Sequence, residues 1–416
     1  MTQPRILIFT HDGRGLGHLR RLGRLGAALQ GRASVLFLTG HREASWLVPR
    51  DCEYIHIPNR DSIEERRSRQ WGRRPFVPEE SLIGPRIRRE VIAATVENFR
   101  PHAIITDYLP LGMDEEISEF ITGDSGCRKY FISRGILGSP DQVYHDVLTP
   151  SSLDALRKHY HMILVMSDFK IIDMASEYSL EPGIAEKLVY VGYAAEFVSP
   201  ARTKQARTER GLHDTDKWVV CTAGGGKEGE ALIERCWEIA QIFPECYFDI
   251  IVGPRSRLSL ESDVWSEQRR IRLVHVDSQQ LPVLEAAANI VICRGGYNSL
   301  MESCVGNAAI IVAPIATDYE QVNHARRLAA YRDITVVDSL SELDLALESI
   351  LRRTKAPENR LQEIDLNGLQ LGAGVILADL ALHGTAGALD EESRCEHDAT
   401  NVLDGTTFAK EGQGRG

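Results

Sequence analysis

Two histidines, an acid and a run of alternating glycines stand together near the start of this chain. The stretch HDGRGLGH places His11 and Asp12 just past an apolar run, then Gly13, Gly15 and Gly17, and then His18 where a helix should begin. Glycines at this spacing let backbone approach a ligand closely at a helix N-terminus. A histidine, with a reference pKa of about 6.5, suits general-base work. The plainer reading makes His18 a helix-terminal histidine and leaves His11 and Asp12 as loop residues that cap the helix. A second glycine turn, CTAGGGKEGE, sets Gly224, Gly225 and Gly226 between an apolar run and an amphipathic one, with Lys227 adding a charge that Glu228 and Glu230 partly offset. Free backbone N–H groups and the helix dipole there favour an anion. A third turn, RGGYNSLMES, joins Arg294, Gly295 and Gly296 to Asn298, Ser299 and Glu302. Glu302 falls two to three residues into the following helix, facing back toward the turn. A carboxylate so placed can accept both hydroxyls of a ribose, or simply face the dipole of its own helix. Arg294 can neutralise a diphosphate or be a surface charge. Asn298 and Ser299 can donate to phosphate oxygens or cap the helix.

The elements around these turns repeat one pattern. RILIFT, SVLFLTG, EYIHIP, AIITDY, KYFISRG, MILVMS and KLVYVGY are short, apolar and β-branched, and amphipathic segments separate most of them. The pattern restarts with WVVCTAGG, YFDIIVG, IRLVHV, NIVICR, AAIIVAP and ITVVD. Near-continuous apolar strands of this kind suit parallel sheets covered on both faces. The expectation is therefore an α/β chain of two doubly wound Rossmann-like domains facing a cleft. Residues 1–193 form the first domain, 194–216 a polar linker, 217–383 the second domain with a terminal helix, and 384–416 a tail too poor in large apolar residues to fold.

Composition narrows the function. At 416 residues the chain is long enough for two cores. A formal net charge of −11 argues against general nucleic-acid binding. Eight cysteines are scattered with no CxxC pair, which suits a reducing, cytoplasmic setting and no zinc site. No run approaches a membrane span, and membrane association is not expected. The glycine loops are neither a nicotinamide fingerprint, since no acid ends the second strand, nor a P-loop, since no GK[ST] follows.

The stretch CRGGYNSLMESCVGNAAIIVAPIATDYEQVNHARRLA resembles the donor-sugar signature of the two-Rossmann-domain (GT-B) glycosyltransferases. It is most similar to that of the peptidoglycan N-acetylglucosaminyltransferase that makes lipid II and of related bacterial predicted UDP-sugar glycosyltransferases. Plant and macrolide UDP-sugar transferases share a similar pattern. GLGHLRR and AGGGKEG fall where that family places its other two glycine loops, so the resemblance runs over roughly residues 5–337. It implies an inverting transfer of a hexose-type sugar from a UDP-sugar, without metal or resident cofactor. His18 is then the base or acceptor-orienting residue, with His11 and Asp12 as rivals. The donor side takes in Gly17, Gly224, Gly225, Gly226, Lys227, Ser278, Arg294, Gly295, Gly296, Asn298, Ser299 and Glu302. Glu320 and Gln321, after a proline-containing loop, are expected to read the hexose hydroxyls.

The pattern also departs from the family. VGYAAEF supplies no arginine after the linking strand, and the first sugar-contacting residue is Glu320 where the peptidoglycan enzyme has an amide. A sugar without an N-acetyl group fits that change. Pro58–Val91 holds nine arginines diluted by six acids. It is either a solvated loop or an acceptor-side loop that meets an anionic group. The acceptor expected is a small molecule such as a natural-product scaffold or nucleobase. A lipid-linked acceptor, or a nucleotide-sugar epimerase or binding protein of the same architecture, are the alternatives.

Overall fold

The computed structural model describes residues 3–11, 16–58, 60–62, 73–75, 83–124, 126–224, 229–253, 270–275, 279–354 and 359–383. All thirteen runs read as strands are strands. In the N-terminal half they are β1 (Arg5–Phe9), β2 (Ser34–Thr39), β3 (Glu53–His56), β6 (Ala103–Asp107), β7 (Arg128–Ser133), β8 (Met162–Val165) and β9 (Leu188–Tyr190). Every pairing is parallel, in the order β3-β2-β1-β6-β7-β8-β9. A short antiparallel hairpin, β4 (Arg60–Ser62) with β5 (Arg73–Pro75), lies outside that sheet and was not foreseen. The second sheet is also all parallel and runs β12-β11-β10-β13-β14-β15. Its strands are β10 (Lys217–Thr222), β11 (Cys246–Ile251), β12 (Ile271–Val274), β13 (Ile290–Cys293), β14 (Ala309–Val312) and β15 (Ile334–Val336).

Both sheets are covered on two faces, which explains their unbroken apolar runs. Ile6 and Ile8 of β1 enter one core while Leu7 and Phe9 enter another. In each sheet the chain starts in the middle, builds outward to one side, and then crosses back. The order reverses between β1 and β6 in one domain and between β10 and β13 in the other. Carboxyl ends at such a switch point leave a crevice for a ligand. All three glycine turns singled out in the sequence leave strands at these two points.

The helix Gly17–Leu29 follows β1 and buries Leu19, Leu22, Leu25 and Leu29, one stripe at helical spacing. Gly23 seats it tightly, since a Cβ there would meet the Leu47 carbonyl oxygen at 2.5 Å. The segment 194–216 is helical over Pro200–Arg210, with Ser199 capping its start and Gly211 ending it at φ 73°. Polar residues on most of its surface leave that helix almost no apolar periodicity. The chain crosses between domains beside itself. Tyr193 N–H donates to Asp365 at 2.8 Å, and Gly368 N–H donates to Tyr193 at 2.9 Å. Residues 368–383 then form a helix that returns to the first domain. There Asp379 accepts two bonds from Arg128 and one from the Tyr130 hydroxyl at 2.6–2.8 Å. The tail 384–416 lies outside the described residues.

Candidate active site at the domain cleft

β1 and β6 are neighbours, so the last residue of β6 meets the helix that follows β1. His18 Nδ1 lies 2.8 Å from Asp107 Oδ2. Arg21 Nη2, one helical turn on, donates to both oxygens of the same carboxylate at 2.8 Å. Burial penalises the Asp107 charge, but Arg21 and His18 outweigh it and hold the carboxyl well below its usual range. An ionised partner fixes the tautomer. The proton sits on Nδ1 and is donated to Asp107, which leaves Nε2 to accept another. Burial also lowers the His18 pKa, against the pull of Asp107, so the ring is neutral at neutral pH. The pair can therefore take a proton and stabilise the imidazolium that results. Asp107 is one of the functional candidates the sequence reading missed. The signal available was an acid ending the strand AIITDY.

His11 packs on the same cluster by its ring, 5.2 Å from His18 and 4.9 Å from Tyr108, centroid to centroid. Tyr108 has φ 68°, a left-handed conformation costly for a residue with a Cβ. Arg134, just after β7, stacks over the Tyr108 ring at 5.5 Å. Asp12, Gly225, Gly226, Lys227 and Ser278 lie outside the described residues.

Across the cleft stands the turn after β13. Gly295 has φ 84°, and a Cβ there would meet Val312 at 2.6 Å, so only glycine fits. Gly296 caps the helix Tyr297–Val305 through its backbone. Gly224, after β10, also has a left-handed φ of 76°. Glu302 is the sixth residue of its helix rather than the second or third, because the helix starts at Tyr297. Its carboxylate is fully buried and is met by Arg20 Nη2 at 3.1 Å and Arg24 Nη1 at 3.0 Å, both from the first domain. Asn298 does not cap its helix; Nδ2 donates across the cleft to the Gly17 carbonyl at 3.0 Å. Ser299, in the first turn, is half-buried. Arg294 turns toward β14, where Nη1 donates to the Ala313 carbonyl at 3.1 Å. It lines a cavity of about 330 Å³ with Pro314, Ile315 and Asp338.

Glu320 and Gln321 part company. Gln321 is spent on its own loop: Oε1 accepts from Ile315 N–H at 3.0 Å and Nε2 donates to Asp318 at 2.9 Å. In this structure Gln321 thus braces the 315–318 turn. Glu320 faces the first domain, where Arg134 Nη2 meets it at 2.8 Å. Burial raises its carboxyl to about 7, further than Arg134 can offset. An exposed glutamate titrates near 4.5, so closing the cleft binds a proton between these values. Closure is expected to weaken as pH rises from about 4.5 to about 7, with no further contribution from this group above that. Small-angle scattering should show the chain becoming less compact over that window, and Glu320→Gln should abolish the change. The same expansion in the variant would assign it elsewhere.

Of the arginine-rich segment, Arg88 is structural. It is buried, pairing with both oxygens of Glu116 at 2.6 Å and donating to the Pro58 carbonyl. Arg86 and Arg89 are exposed, and most of the remainder lies outside the described residues. Among the described residues no helix is long and apolar enough to cross a membrane.

Residues 219–368 match the model of the glycosyltransferase family 28 C-terminal domain. Comparison with curated protein sequences finds no match. Three solved structures resemble nearly the whole chain. The glycosyltransferase SnogD from Streptomyces nogalater is 14% identical with a TM-score of 0.55, covering 94% of this chain and 99% of its own. A UDP-glucosyltransferase from Polygonum tinctorium capable of glucosylating indoxyl is 15% identical with a TM-score of 0.55, covering 90% and 95%. A Phytolacca americana enzyme complexed with UDP-2-fluoro-glucose and pterostilbene is 16% identical with a TM-score of 0.54, covering 90% and 94%. The architecture is therefore that of the GT-B glycosyltransferases: two parallel-sheet Rossmann-like domains joined across a cleft.

Proposed function

We propose that this chain is an inverting glycosyltransferase that moves a hexose-type sugar from a UDP-sugar to a hydroxyl or amine of a small-molecule acceptor. The observation that carries the reading is the buried His18–Asp107 pair at one switch point, opposed across the cleft by the glycine turn and Glu302 at the other. The match of the second domain to a glycosyltransferase family supports the donor side. A similar fold named as a UDP-glucosyltransferase and another complexed with UDP-2-fluoro-glucose support it as well.

In this reading Glu302 holds the ribose hydroxyls, and the N-termini of the helices at Gly17 and Tyr297 face the diphosphate. The acceptor sits on the first domain, with its nucleophilic atom against His18 Nε2. As that atom attacks the anomeric carbon, its proton passes to His18, and Asp107 stabilises the imidazolium. The diphosphate leaves from the donor domain, opposite the attacking atom. Base and leaving group on opposite sides of one carbon make a single displacement, which inverts the anomeric configuration. Charge on the leaving group is met by fixed dipoles and cations. The mechanism draws on no bound metal.

The test begins with a panel of UDP-sugars. A donor at 100 times its dissociation constant should stabilise the fold by about 2.7 kcal/mol. UDP release with trial acceptors follows, and then the anomeric coupling of the product. No stabilisation by UDP or any UDP-sugar would sink the donor assignment. A product of retained configuration would sink the single displacement.

A further inference from the structure

The mechanism above leaves two arginines of the first domain unassigned. Arg20 and Arg24 are four residues apart, so they share one face of the helix Gly17–Leu29. Arg21 lies between them and serves Asp107 instead. Both reach across the cleft to a single atom, Oε1 of Glu302, at 3.1 and 3.0 Å. Their side chains are 14% exposed and that of Glu302 is 0% exposed. A second carboxyl, Glu285, is fully buried on the neighbouring helix Leu281–Ala287. Burial and the nearby Glu302 push its pKa well up. Arg24 also meets Glu196 at 2.8 Å, but that side chain is 58% exposed and screened by solvent.

Glu302 is 0% exposed with both guanidiniums against it, so ribose hydroxyls reach it only when those guanidiniums move. A nucleotide seated on it displaces Arg20 and Arg24 while the cleft stays close around them. A buried cation that loses its partner is costly. The next group along a nucleoside diphosphate from its ribose is an anion whose oxygens match a guanidinium fork. We propose that Arg20 and Arg24 exchange Glu302 for the diphosphate of the donor, so that the acceptor-side domain supplies cations to the leaving group. The inference rests on the nucleotide-sugar reading of the cleft. It also gives donor binding a way to hold the domains together. The same two side chains bridge the cleft in both states and change only their anion.

Calorimetric titration of UDP and of uridine separates the possibilities, using wild type, Arg20→Gln and Arg24→Gln. Each variant should lose about 10- to 100-fold in UDP affinity, with uridine affected little. Raising salt should weaken UDP more than uridine in wild type, a measurement that needs no variant to fold. Arg20→Lys and Arg24→Lys, which keep the charge without the fork, should fall between wild type and the glutamine variants. If the arginines only latch the cleft through Glu302, their removal frees the ribose site and both ligands bind as well or better. That result overturns the proposal. Equal losses for UDP and uridine also overturn it, because the damage is then not at the phosphates. Wild type that binds uridine and UDP, with variants that match it, overturns this proposal alone. Wild type that binds neither overturns the nucleotide reading and this inference with it.

Discussion

Alanine at His18 is expected to lower turnover by about 10²–10⁴-fold while leaving UDP-sugar affinity nearly intact. The ring is buried against Asp107, a neutral imidazole beside an ionised carboxylate. Asp107→Asn should cost a comparable factor without removing the ring. An asparagine amide can offer an N–H to Nδ1, which moves the imidazole proton to Nε2 and blocks the atom that must accept. The pH profile carries a second signature. An imidazole stops working as a base when pH falls through its pKa. Burial lowers that pKa in His18, so the acid limb of the rate profile should lie below the usual 6.5. Asp107 raises the His18 pKa, so removing its charge should move the limb lower still. Turnover that survives His18→Ala and collapses in His11→Ala or Asp12→Ala would transfer the role to those residues.

Glu302→Ala is expected to weaken UDP and UDP-sugar binding by about 1.5–3 kcal/mol, the worth of hydrogen bonds to a charged group. The structure adds a second consequence. Glu302 also holds Arg20 and Arg24 in a buried contact. Removing one side of a buried ion pair destabilises by about 3–5 kcal/mol. The alanine variant should therefore unfold at a lower temperature as well as bind more weakly. Glu302→Gln separates the two effects, because its amide oxygen still accepts from a hydroxyl while the charge is gone. It should retain more UDP affinity than alanine but share part of the loss in thermal stability. A folded alanine variant with unchanged UDP affinity would remove Glu302 from the site.

Much of this protein is written locally in its chain. Apolar, β-branched runs commit seven segments and then six to parallel strands, buried at the centre of each sheet and more open at edges such as β3, because only a sheet covered on both faces can bury such continuous runs. Each glycine turn lies where backbone must turn tightly into a helix, and the left-handed φ of Gly224 and Gly295 is a local requirement read from residue type. His18 at a helix start is legible for the same reason. The helix Pro200–Arg210 was not legible, since its few buried residues leave almost no apolar period.

Partnership belongs to the tertiary structure. Asp107 is 89 residues from His18, and only the pairing of β1 with β6 brings their ends together. Nothing in AIITDY says which strand will lie beside it. Arg20 and Arg24 read as ordinary helix charges until the second domain sets Glu302 against them. The EQ pair shows the limit most sharply. Two adjacent polar residues of similar size looked equivalent, yet one faces Arg134 across the cleft and the other braces its own turn. Periodicity and residue type are short-range quantities, so they fix elements and turns. Strand order and domain closure are decided by contacts between residues far apart in the chain, and these contacts determine which charges face one another.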